Sequence, residues 1–317
     1  MERRRIEWPT VGVAVAIAAG FAAVLAAHRS LPLPVELVVL ALLGAWYNSL
    51  QHEVIHGHPT RWARVNTAFG IAPLGLVVPF ASYRESHLAH HRDEHLTLPG
   101  TDPESFYLAP ETWQRYGRVR GVIPRAMRTL AGRLVVGPLV AAVRCWSQGV
   151  ASLQTRRGAA RLAGHVIGVA AVVTVVRTSG LPVWVYVVGV AWGGGALSLL
   201  RSFAEHRVVE HGTQSAVVAA GPLMSLLYLN NNLHHTHHAM PWVPWYELPG
   251  LHTELDADRL AAEGAGRYDG YGDIARRYLL RPFGTVAHPS APLTPAAAPA
   301  ATDTGLAGAE VREAAAG

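Results

Sequence analysis

Long apolar runs, nearly free of charge, alternate along this chain with polar segments that carry most of its histidines. Four runs approach the ~20 mostly apolar residues that a spanning helix needs: Thr10–Ala27, Leu33–Leu50, Leu162–Val176 and Pro182–Leu200. Apolar stretches of this length, with Glu36 their one charge, predict membrane helices rather than core helices of a soluble domain. A fifth run, Val65–Ala81, contains Pro73, Pro79 and two glycines and is expected to be a re-entrant or interfacial piece. Leu130–Val143 is interrupted by Arg133 and Pro138 and is expected to lie along the surface. Val217–Leu229 is too short to span. The start, Met-Glu-Arg-Arg-Arg followed by apolar residues, has the look of a secretory signal. Its apolar run exceeds the usual ~7–15 residues and lacks a clear cleavage site, so a first transmembrane helix is the better expectation.

Charge gives the orientation, because positive residues collect in cytoplasmic loops. Arg3, Arg4 and Arg5 precede the first span, Arg61 and Arg64 follow the second, Arg156, Arg157 and Arg161 precede the third, and Arg201 and Arg207 follow the fourth. The two short turns between paired spans hold only Arg29 and Arg177. Two hairpins with both termini in the cytoplasm satisfy this asymmetry and place every histidine cluster on the cytoplasmic side. A bacterial inner membrane is the expected location. The stretch from Pro282 is rich in Pro, Ala and Thr and is expected to be a disordered tail, in which His288 needs no function.

Composition narrows the chemistry. With one cysteine, Cys145, in 317 residues, a disulfide framework, a thiolate metal site and an iron–sulfur cluster are excluded. All 27 basic residues are arginine and the net charge is only +5. The arginines flank apolar segments rather than forming a stripe, which suits a membrane surface and not nucleic acid.

Thirteen of the seventeen histidines fall in three clusters. The first is His52-Glu-Val-Ile-His56-Gly-His58; the second is His87-Leu-Ala-His90-His91, with His95 four residues on; the third holds His206, His211 and the run His234-His235-Thr-His237-His238. Helical residues three and four apart share a face, so each cluster can aim two or three imidazoles at one point. Neutral imidazole is the commonest metal-ligand side chain, suiting iron, zinc, copper and nickel. So many ligands exceed one tetrahedral zinc, and a pair of metal ions is expected.

HxxxH at 52–56, HxxHH at 87–91 and HxxHH at 234–238, set around two membrane hairpins, resemble the histidine boxes of the membrane fatty acid desaturase and hydroxylase superfamily. Arg-Ser-Phe-Ala-Glu-His (201–206) is similar to the Glu-His motif of alkane hydroxylases. Asn230-Asn-Asn-Leu-His-His-Thr-His-His, with the Pro-Trp-Val-Pro-Trp-Tyr-Glu-Leu-Pro that follows at 241–249, looks like the end of desaturase and carotenoid ketolase cores. The resemblance covers about Leu33 to Leu280. It implies an all-α integral membrane protein, a four-helix stem carrying a cytosolic helical cap with a histidine-rich di-iron centre. Carried over by position, the ligands would be His52, His56, His87, His90, His91, His206, His234, His237 and His238. His58, His95, His211 and His235 fall outside the boxes. Carboxylates near enough in sequence to orient ligating imidazoles are Glu53, Asp93, Glu94, Glu205 and Glu210. Asp102-Pro-Glu-Ser-Phe-Tyr is similar to a stretch seen in relatives, where a structural turn is an equal alternative.

The resemblance implies O2-dependent attack on an unactivated C–H bond by two iron ions, giving an alkene or an alcohol. A fatty acyl desaturase is the default expectation. A hydroxylase or ketolase acting on a carotenoid, alkane or specialised metabolite is the alternative. With no flavin, nicotinamide or haem module in the sequence, electrons are expected from a ferredoxin or similar carrier. Arg115, Arg118, Arg120, Arg125 and Arg128 offer it an acidic-partner surface, or simply a solvated or lipid-headgroup face. Trp184, Trp192, Trp242 and Trp245 suit interfacial belts or an apolar channel. Gly193-Gly-Gly195 allows close helix packing. Two rival readings remain: a membrane zinc protease using His52-Glu53-x-x-His56 with Glu53 as general base, and a non-enzymatic carrier of metal or haem.

Overall fold

The computed structural model describes residues 6–93 and 95–289. Two long hairpins come first and third along the chain. The first is α1 (Trp8–Ala27) and α2 (Leu33–Ile55), followed by the short α3 (Ala63–Gly70) and by α4 (Phe80–Arg92). After α5 (Pro110–Gln114) and α6 (Val122–Ala126) comes the long α7 (Leu130–Ser152). The second hairpin is α8 (Arg156–Ser179) and a helix that starts as α9 (Val183–Tyr186), passes through π turns at Val187–Gly194 and continues as α10 (Gly195–Arg201). A cap follows, made of β1 (Val217–Val218), α11 (Pro222–Leu227), α12 (His234–Ala239), α13 (Leu248–Glu254), α14 (Ala257–Ala262), β2 (Arg267–Tyr268) and α15 (Tyr271–Tyr278). The two strands pair in parallel, Val217 opposite Arg267.

The hairpins pack along apolar stripes. Val13, Ile17, Phe21 and Val24 recur at spacings of four and three on α1 and meet Leu40, Leu43, Tyr47 and Leu50 of α2, with Val185, Tyr186 and Val190 beyond. The opposite faces stay apolar and exposed, as at Val15, Val38, Ile167, Val175 and Val188. Helices that are apolar on both faces are solvated by lipid rather than water. Glycine brings α2 and the last helix together: a Cβ at Gly194 would stand 3.0 Å from the Gly44 backbone, and one at Gly193 would stand 2.7 Å from Ala41 Cβ. Gly194→Leu is therefore expected to pry the helices apart, costing at least the ~1–3 kcal/mol of core overpacking. Gly12→Leu, where a Cβ meets nothing within 4 Å, should leave the melting temperature unchanged in the same detergent. Equal melting temperatures for both variants would refute the close approach.

Five helices among the described residues are long and apolar enough to cross a membrane: Trp8–Ser30, Leu33–Ile55, Leu130–Ser152, Arg156–Ser179 and Val183–Arg201. That is one more than the apolar pattern predicts. The difference is α7, whose helix runs unbroken through both expected interruptions. Arg133 turns inward, where its Nε donates to Met127 O and its guanidinium lies over Phe106 and Phe203, and Pro138 lies against Gly195.

The run Val65–Ala81 is not helical throughout: after α3 its backbone is irregular from 71 to 79. Side chains from the surrounding helices satisfy its carbonyls in turn. Gln51 Nε2 donates to Gly70 O at 2.7 Å, Tyr47 Oη to Ala72 O at 2.6 Å and Tyr186 Oη to Leu74 O at 2.9 Å. His165 Nε2 donates to Leu76 O at 3.1 Å. Non-helical backbone among spanning helices is stable only when protein groups replace water in this way.

Residues 282–289, expected to begin the disordered tail, pack against the body. Phe283 is buried with Phe203 and Tyr278, Leu108 N donates to Val286 O and His288 N to Leu108 O. The physical reason is a single large apolar anchor, Phe283, in an otherwise polar and small-residue run. The rest of the predicted tail, and Glu94, lie outside the described residues.

Candidate metal centre

The end of α2, the second half of α4 and all of α12 converge on one point, and the loop after α10 adds His206. The last turn of α2 presents His52 and His56, α4 presents His87, His90 and His91, and α12 presents His234, His237 and His238. Three asparagines place α12. Leu229 and Asn230 adopt left-handed φ of 47° and 55°, a region asparagine tolerates and leucine rarely enters. Asn230 Nδ2 donates to Trp245 O and Asn232 Nδ2 to Val218 O, which fixes the chain just before the histidine run. His206 is held in an antiparallel bridge to Ser215.

All nine histidines singled out by position fall into two groups. His52, His56, His87, His91 and His237 form one; His90, His206, His234 and His238 form the other, with ligand-capable atoms in each group within 4.8 Å of one another. The closest approaches are nitrogen to nitrogen: His56 Nε2 to His87 Nε2 at 3.0 Å, His91 Nε2 to His237 Nε2 at 3.1 Å, and His206 Nε2 to both His90 Nε2 at 3.1 Å and His234 Nε2 at 2.9 Å.

Partners on the far side of the rings set which nitrogen faces inward. His90 Nδ1 bonds Asp102 Oδ1 at 2.8 Å, His87 Nδ1 bonds Glu104 Oε1 at 3.2 Å, and His234 Nδ1 bonds Asn231 Oδ1 at 3.0 Å. His206 Nδ1 meets Ser215 Oγ at 3.3 Å. Asp102 is itself fixed by the backbone N–H groups of Thr97 and Glu104, each at 2.8 Å. A ring that donates from Nδ1 carries a lone pair on Nε2. His90 and His234, whose Nδ1 atoms face acceptor oxygens, therefore both turn a lone pair toward His206 Nε2, and one proton there can bridge only one of the two contacts. His238 Nε2 is buried without a hydrogen-bond partner among the described residues. A shared cation relieves both problems: two nitrogens each ~2.1 Å from one ion and at right angles stand about 3.0 Å apart.

Electrostatics keep the ligand atoms available. Burial, reinforced by neighbouring imidazoles, holds His56, His234, His237 and His238 well below the usual imidazole value. The same burial pushes His91 to about 2 and His206 to about 3. His90 is the exception: burial lowers it, but the Asp102 hydrogen bond and the Glu104 charge outweigh that and raise it.

The other cluster histidines stand apart from the two groups. His58 Nδ1 pairs with Glu7 Oε1 at 2.8 Å, tying the head of α1 to the end of α2. His235 Nδ1 meets Thr213 Oγ1 at 3.0 Å, and His95 and His211 are exposed. Of the carboxylates expected to orient the rings, Glu205 comes within 3.4 Å of His234 Nδ1 while pairing with Arg201 at 2.9 Å. Glu53 lies 3.8 Å from His52 and accepts from Trp245 N at 3.1 Å. Asp93 caps His95 N, and Glu210 is exposed. The carboxylates closest to the rings are Asp102 and Glu104, from the stretch whose role the sequence left open.

Arg128, grouped with the surface arginines, is buried: its Nη2 donates to Phe283 O and its guanidinium lies over Tyr107. Arg115, Arg118, Arg120 and Arg125 are exposed. A cavity of about 410 Å³ opens between α2, α7 and α10 and reaches Asp102, Glu104 and His206. None of the four tryptophans considered for a channel lines it; Trp184, Trp192 and Trp242 are exposed instead.

A model of the fatty acid desaturase family matches residues 29–271. Comparison with curated proteins finds no match.

Proposed function

The chain belongs to the fatty acid desaturase family, and on that premise we propose an O2-dependent di-iron membrane oxidoreductase that introduces a double bond into a lipid chain. The observation that carries this reading is the meeting of two imidazole groups beside a largely apolar cavity whose lining includes His206 and Glu104, the partner of His87. The five-histidine and four-histidine groups would each hold one iron ion. Bound iron supplies the O2-dependent C–H oxidation that no side chain here can perform. The protein's own residues orient the imidazoles through Asp102, Glu104 and Asn231, and line an apolar chamber that admits the chain and excludes water. Forming an alkene while reducing O2 to water needs two electrons beyond those of the substrate. An external carrier, a ferredoxin or similar protein, is the proposed donor.

Topology supports four crossings rather than five. Glu7, at the head of α1, holds His58 beside the site, and α10 ends at Arg201 next to Glu205. The first and last spans thus end on the same face, which requires an even number of crossings. The odd helix is α7. Its Leu130 packs in the cap with Phe203, and only three residues separate its far end from α8, whose Arg161 pairs with Glu85 of the histidine-bearing α4. Both of its ends lie on the histidine face, so α7 is placed in the interface. Val135, Leu139, Val143, Trp146 and Val150 form its exposed apolar stripe. The arginine-rich histidine face and both termini are assigned to the cytoplasm, in a bacterial inner membrane.

A zinc protease fits less well. Glu53 spends one carboxylate oxygen on Trp245 N, and the group containing His52 and His56 draws its remaining members from the other two boxes. Metal analysis of the detergent-purified protein by plasma mass spectrometry is expected to find about two irons per chain after growth in iron-replete medium. A product with an added double bond should appear only with O2 and a reduced carrier. One zinc and negligible iron would overturn the proposal.

A further inference from the structure

All three carboxylates around the cavity are taken, and of its four arginines only Arg201 has one of them. Asp102 is bonded to His90, Glu104 to His87 and Glu205 to Arg201. Arg133 lines the same cavity and is 1 % exposed, yet has no carboxylate within 4.0 Å among the described residues. Its Nε donates to Met127 O at 3.0 Å. Its guanidinium carbon lies 3.8 Å from the centre of the Phe106 ring and 5.0 Å from that of Phe203. Cation–π contacts of this kind contribute ~0.5–2 kcal/mol each, against several kcal/mol for desolvating the ion. A buried guanidinium facing a chamber without a counter-charge needs an anion from outside the chain.

The position of Arg133 in the cavity decides which part of a ligand it meets. Phe106 is two residues from Glu104, the partner of His87, and Phe203 is three from His206. Arg133 therefore stands at the histidine end. Arg144 also lines the cavity. Eleven residues on, it shares the same face of α7, about 16 Å away at the helical rise. Between them on α7 the lining includes Val140 and Ala141, and Leu199 lies against Gly137. With Nε engaged, the two terminal nitrogens of Arg133 present one end-on fork, the match for the two oxygens of a carboxylate. Arg128 also lines the cavity without a carboxylate partner among the described residues, but one of its two terminal nitrogens, Nη2, is taken by Phe283 O, so it offers no such fork.

We propose that Arg133 binds the carboxylate of an acidic apolar substrate, which enters head-inward and presents carbons near its carboxylate to the histidine centre. The second half of this statement rests on the oxidoreductase reading; the binding half does not. Calorimetric titration of the purified full-length protein with octanoate, octan-1-ol and octyl phosphate separates the two. Octanoate is expected to bind at least about tenfold more tightly than octan-1-ol, ~1.4 kcal/mol. The preference should survive in Arg144→Gln, shrink in Arg133→Lys and vanish in Arg133→Gln. Should Arg133→Gln fail to fold, the wild-type preference and the Arg133→Lys and Arg144→Gln variants still decide. Equal binding of acid and alcohol to the wild type would overturn the proposal, as would a preference abolished by Arg144→Gln but not by Arg133→Lys. Octyl phosphate binding more tightly than octanoate would overturn the carboxylate assignment. A preference for octanoate in a protein that lacks iron and turnover would leave the binding inference standing while the oxidoreductase reading fails.

Discussion

Alanine at His237 or at His90 is expected to reduce turnover to background while the protein still inserts into the membrane. The two residues test different halves of the centre, since His237 belongs to the five-histidine group and His90 to the four-histidine group. Each contributes a nitrogen that approaches a neighbour's Nε2 at 3.1 Å, so its loss opens one side of a metal position. The effect should exceed the ~10–100-fold loss in metal affinity that follows removal of an outer hydrogen-bond partner. Iron content distinguishes loss of metal from loss of fold: both variants should remain monodisperse in detergent with less than the wild-type iron. His211→Ala, at an exposed position outside both groups, should match the wild type in iron and activity. Full activity in either His237→Ala or His90→Ala would remove that residue from the proposed ligand set.

How much of this was legible in the sequence depends on whether the information is local. Imidazoles three and four residues apart on α4 and α12 declare a shared face by themselves, and all nine chosen positions end in the two groups. The partners Asp102 and Glu104 could not be read the same way. They reach His90 and His87 from twelve and seventeen residues downstream, through a loop whose path no periodicity encodes. The carboxylates chosen for their nearness in sequence were mostly engaged elsewhere: Glu53 with Trp245 N, Asp93 with His95 N. Arg133 and Pro138 looked like helix interruptions because composition weighs a charge or a proline without knowing what lies opposite. In the fold, Met127 O, Phe106 and Phe203 receive Arg133, and Pro138 packs against Gly195. Arg128 and Phe283 misled for the same reason, each being buried by the other's presence across 155 residues.

Asp102→Ala is expected to weaken metal binding by ~10–100-fold in the four-histidine group and to destabilise the cap at the same time. Its carboxylate satisfies three donors at once: His90 Nδ1 and Glu104 N on Oδ1, and Thr97 N on Oδ2, all at 2.8 Å. Alanine leaves these donors unpaired in a site where Asp102 is only 4 % exposed, at roughly 1–3 kcal/mol for each buried unsatisfied group. Freed from Oδ1, His90 also loses the contact that fixes its ring orientation. Asparagine at this position would not restore the wild type, since one oxygen cannot face both His90 and Thr97 and its amide N–H₂ would confront a donor. Asp102→Asn should therefore fall between alanine and wild type in melting temperature. Glu104→Gln offers the contrast. Glu104 is 32 % exposed, and its two oxygens share His87 Nδ1 at the longer distances of 3.2 and 3.3 Å, a donor that one amide oxygen can still accept. Its iron content and melting temperature should stay near wild type. The measurement is iron per chain by plasma mass spectrometry alongside a thermal melt of each variant in one detergent. If Asp102→Ala kept full iron and an unshifted melt, the carboxylate would be neither orienting His90 nor holding the loop.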